Sequence, residues 1–152
     1  RICSIIQIFY YRLIEVNMIK FNKIQHKTIN HLKGKLPVDF DNQLNNLLNK
    51  IKTRAEYEIS DTHFYRTINE HFQNPNKKFH CKSIAMNISQ DEADKSQHIL
   101  EISILHPSMT IENKRPLAAG NKKTILNFLN NSGSIELIKN DILQMSERLK
   151  DI

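Results

Sequence analysis

Apolar residues recur with a helical period over several stretches of the chain and with a period of two over the middle. From Asp39 to about Tyr57 the residues Phe40, Leu44, Leu47, Leu48 and Ile51 form one stripe, with Asn42, Asn45, Asn46 and Asn49 on the wet side. That spacing predicts an amphipathic helix with Asp39 or Asp41 at its start. Phe64, Ile68 and Phe72 recur every fourth residue, so Ser60 or Asp61 is expected to cap a second helix reaching Phe72, which Asn74-Pro75-Asn76 ends. Near the C-terminus Asn121 is the expected cap of a helix over 122–130. Ser132-Gly133-Ser134 breaks it, and Ser134 opens a last helix in which Ile135, Ile138, Ile142, Met145 and Leu149 step by three and four. Residues 4–32 also read as helical, in one or two pieces, before Gly34 and Pro37.

Between these helices the alternation is that of strands. Ile84, Met86 and Ile88 alternate with Ala85 and Asn87; Leu100, Ile102 and Ile104 alternate with Glu101 and Ser103; SQDEADKSQ joins the two runs. Both apolar sets occupy even positions. Paired residues must therefore sum to an even number, because a slip of one residue turns one set to solvent. Ser108–Glu112 is a candidate for a third, shorter strand. The expected fold is α+β: N-terminal helices, a central antiparallel β-hairpin or small three-stranded sheet, and two C-terminal helices. Residues 18–152 are read as a single domain. Residues 1–17 are read as an N-terminal extension, because Met18 offers a natural beginning.

Charge sharpens this picture. The net charge of +6 sits wholly in residues 1–38, where seven cations face the single anion Glu15; the rest carries 15 of each sign. Lys20, Lys23, Lys27, Lys33 and Lys35 form a basic segment able to attract phosphate or an anionic surface, although only Phe21 offers a stacking ring there. Residues 2–19 are strongly apolar, but Arg12 and Glu15 interrupt them and no small-residue cleavage site follows, so neither a membrane span nor a secretory signal is expected. With two distant cysteines, Cys3 and Cys81, a reducing compartment and a cytoplasmic location are the expectation.

The chemistry-bearing residues are sparse. His80, His98 and His106 share the parity of the apolar face. A pairing sum of 186 would set His80 opposite His106, half of a zinc site that needs a third ligand such as His63 or His71. Cys81 follows His80 but points to the opposite face of a strand, so the pair makes no nucleophile and base. Gly120, Lys122 and Lys123 stand where a helix N-terminus could hold an anion, without the glycines and the G-K-[ST] ending of a phosphate loop. Asp91, Glu92 and Asp94 crowd the hairpin turn without the offsets of a calcium loop. No catalytic set and no cofactor motif emerges. The leading reading is a non-enzymatic protein-interaction module, an immunity- or antitoxin-like inhibitor being one form of it, with Asp91, Glu92 and Asp94 meeting a basic partner. The alternatives are a binder of nucleic acid or anionic surfaces through residues 20–35, and a metal-dependent hydrolase using the hairpin histidines.

Overall fold

The computed structural model describes residues 39–73, 81–108 and 112–150. The helices expected over 4–32, the basic segment Lys20–Lys35, Cys3 and His80 lie outside the described residues. Helix α1 (Phe40–Glu58) leads into strands β1 (Ile68–Gln73), β2 (Ser83–Gln90), β3 (His98–Leu105) and β4 (Glu112–Gly120), followed by helices α2 (Lys122–Asn130) and α3 (Ser134–Lys150). The sheet is antiparallel throughout, in the order β1-β2-β3-β4.

Helix α1 forms where the stripe predicts it. Phe40, Leu44, Leu47, Leu48, Ile51 and Ala55 are buried, each large one contributing about 1.5–3 kcal/mol. Asp39 makes no side-chain cap; Asp41 instead receives the Lys139 ammonium of α3 at 2.9 Å. The inward sets of the strands (Ile68; Ile84, Met86, Ile88; Leu100, Ile102, Ile104) meet the stripes of α1, α2 and α3 in one core. Phe72 packs edge-on against Phe40, with ring centroids 6.1 Å apart. Arg54 reaches from α1 to the carbonyl of Asn69 at 3.0 Å and to Glu70 at 3.4 Å, so the helix is fixed over β1. On the other side Arg115 of β4 donates to Asp141 of α3 at 3.2 Å.

Three expectations need correction. The helix expected over Ser60–Phe72 is a loop followed by β1. Steps of four residues satisfy a helix, but they also satisfy a strand, because four is an even number. Ile68 and Phe72 accordingly share the inner face, opposite Ile88 and Ile84. Phe64 stays outside, 56 % exposed. Among the described residues the sheet has four strands, and the last, β4, runs from Glu112 through Gly120, while residues 109–111 of the candidate Ser108–Glu112 strand lie outside the described residues. Its alternation is broken because Leu100 pairs with Ala118 while Glu101 pairs with Pro116, leaving Leu117 as an extra residue. Finally, β2 and β3 pair with a sum of 188, as in Ser83 opposite Leu105. The parity holds, but the sum of 186 that would set His80 opposite His106 does not.

Candidate partner-binding end

Antiparallel order brings the start of β1, the end of β2, the start of β3 and the end of β4 to one pole of the sheet. The last turn of α1 and the first turn of α2 reach the same pole. Four connecting pieces therefore meet there: Tyr57 at the end of α1, the loop 59–67, the hairpin turn 91–97 and the β4–α2 junction around Gly120.

The organising rung is Gln90 opposite His98. The Gln90 Oε1 accepts from the Tyr65 backbone N–H at 3.2 Å. Its Nε2 lies 2.9 Å from the carbonyls of Ser60 and His63 and 2.8 Å from that of Lys95, donating into both loops. His98 is fully buried. Its Nε2 lies 2.6 Å from Asp61 Oδ1, and its Nδ1 lies 2.8 Å from the Tyr65 hydroxyl. The same Asp61 oxygen accepts from the Lys122 backbone N–H at 3.1 Å. The Asp61 carboxylate only accepts, so His98 Nε2 donates to it, and Nδ1 shares a hydrogen bond with the Tyr65 hydroxyl. Burial, reinforced by the negative charge of Asp61, raises the Tyr65 pKa above the usual phenol value, which keeps the hydroxyl protonated. The two rings also stack, 5.5 Å between centroids.

Asp61, His98 and Tyr65 thus stand in the order of a proton relay, but both imidazole nitrogens are spent inside the chain and the ring has no exposed surface. The arrangement holds a loop in place. Ser60 shows why the sequence misled: its Oγ accepts from the N–H groups of Thr62 (3.2 Å) and His63 (3.0 Å), a helix-cap geometry with no helix following.

The residues singled out by sequence are distributed as follows. Asp91 and Asp94 border the pole, and each ties its own turn: Asp91 Oδ1 accepts from Ala93 N–H at 2.9 Å, and Asp94 Oδ1 from Ser96 N–H at 3.0 Å. Glu92 is exposed between them. Lys122 points its Nζ at the Glu56 carbonyl, 2.9 Å away, while its N–H already faces Asp61; Lys123 is exposed. Asn121 caps α2 through Thr124 N–H at 3.0 Å, as expected. His63 belongs to this pole, His71 to the middle of β1, and His106 to the opposite pole, where its Nδ1 meets Ser108. Among the described residues no three His, Cys, Asp or Glu side chains gather as a metal site. Cys81 is buried. No helix among the described residues is long and apolar enough to cross a membrane.

Sequence reasoning missed Tyr57, Asp61, Phe64, Tyr65 and Gln90. One signal lies in the sequence: a histidine at an inward position needs polar partners for its ring nitrogens. Tyr57 and Phe64, 84 % and 56 % exposed, are the large hydrophobic side chains left open among the described residues, and both belong to this pole. The Lys95 ammonium rests 4.4 Å above the Phe64 ring. No match to this chain is found among protein-family models, curated proteins or solved structures. The site is therefore read from its own chemistry. The outer face of the described strands carries no Phe, Tyr or Trp.

Proposed function

We propose that this chain is a non-catalytic protein-interaction module that binds one protein partner through the pole carrying Tyr57, Phe64 and the acidic turn. The carrying observation is that Tyr57 and Phe64, the open aromatic side chains among the described residues, sit in the last turn of α1 and in the loop that follows it, where Phe64 adjoins Tyr65, itself held by Gln90 and His98. Exposed aromatics on a preorganised surface are the usual anchors of protein recognition, since little motion is lost on binding. Asp91, Glu92 and Asp94 give that end an acidic rim, which favours a partner with basic groups at its margin. An immunity- or antitoxin-like inhibitor is the concrete form this reading takes, as a single small domain that occludes the working surface of another protein.

The test is a pull-down with the intact chain from lysate of the producing cell, at low and high salt, beside the double variant Tyr57→Ala/Phe64→Ala. The reading requires a protein retained at high salt by the wild type and lost by the variant. Retention that survives the variant, and disappears with salt or nuclease treatment, replaces this reading with phosphate binding through residues 20–35.

A further inference from the structure

The apolar alternation of β2 and β3 does not choose one register. A slip of two residues, from a pairing sum of 188 to 186, leaves Ile84, Met86 and Ile88 opposite Ile102, Leu100 and His98, with every even position still inward. The same face pattern is kept in both arrangements, so the choice between them falls to contacts tied to position along the strands, among them the hairpin closure of the Asp91 N–H on the Gln97 carbonyl at 2.9 Å.

Tyr65 makes such a contact. Its backbone N–H donates to Gln90 on β2 and its hydroxyl is hydrogen-bonded to His98 on β3. Those two residues are direct partners only at the sum of 188. A two-residue slip displaces His98 relative to Gln90 by roughly 6.5–7 Å along the strand. One tyrosine cannot then reach both. We propose that Tyr65, bridging Gln90 and His98, is a caliper that locks the β2–β3 hairpin in one register and so presents Phe64 and the hairpin turn together. This deepens the partner-binding reading by naming what controls its surface, and it is tested with no partner present.

Cysteine pairs on the outer face read the register directly in the full chain. Ala85→Cys with Ser103→Cys reports the sum of 188, and Ala85→Cys with Glu101→Cys reports 186. In the otherwise unchanged protein the 85–103 crosslink dominates. Tyr65→Phe, which keeps the ring, shifts the ratio partly toward 85–101. Tyr65→Phe with Gln90→Ala shifts it by roughly tenfold or more, the scale set by losing several ordinary hydrogen bonds. An unshifted ratio in the double variant overturns the proposal, as does loss of the 85–103 crosslink with no rise at 85–101.

Discussion

At the scale of single residues, His98 shows what a sequence discloses and what it withholds. Its inward orientation follows from parity with Leu100 and Ile102, and the structure buries it completely. Its partners could not be read, because Asp61 and Tyr65 lie 37 and 33 positions away on a segment whose spacing also suited a helix. Tyr65→Phe takes the hydrogen-bond partner from His98 Nδ1 and is expected to lower stability at neutral pH by about 1 kcal/mol. The pH dependence has a definite sign. The folded Tyr65 pKa is raised above the ordinary value of 10.0, so its contribution is fully present below that value and is lost as pH rises through it toward the folded one. Urea unfolding between neutral pH and pH ~11 should therefore show a steeper alkaline loss in the wild type than in Tyr65→Phe. Parallel curves would contradict this.

At the scale of elements, α1, α2, α3, β2 and β3 were legible because each repeats its own period over several turns or pairs. The two strands that were not legible failed for different reasons. β1 carries its inward residues four apart, a spacing that both periods share. β4 contains Pro116 and an extra residue at Leu117, which cancel the alternation by which strands are recognised. The junction after β4 rests on Gly120, whose φ of +148° is one that other residues rarely adopt. A Cβ added there would lie 2.9 Å from three atoms of the Thr124 side chain. Gly120→Ala is thus expected to cost about 1–3 kcal/mol, because α2 must shift away from the strand end. A urea midpoint within error of the wild type would show that the junction relaxes without strain. Since Lys122 N–H donates to Asp61, the same variant should also raise amide exchange in the loop 59–67.

At the scale of the whole molecule, both margins of the sheet formed by the described residues carry chemistry that discourages another strand. β4 offers Pro116, which has no N–H to give, with the charged Lys114 and Arg115 before it and the irregular Leu117 after it. At the opposite margin Arg54 already takes the carbonyl of Asn69. An open edge is a template on which further copies of a chain add by backbone pairing, and these features remove much of its reach. The irregularity that hid β4 from the sequence reading therefore has a colloidal consequence: it keeps the sheet from growing outward into fibrils. Replacing Pro116 and Lys114 together by valine should restore a regular, apolar rim and bring on thioflavin-positive aggregation at concentrations where the parent chain stays clear. A double variant that remains clear would mean that the margin is guarded by something other than these two side chains.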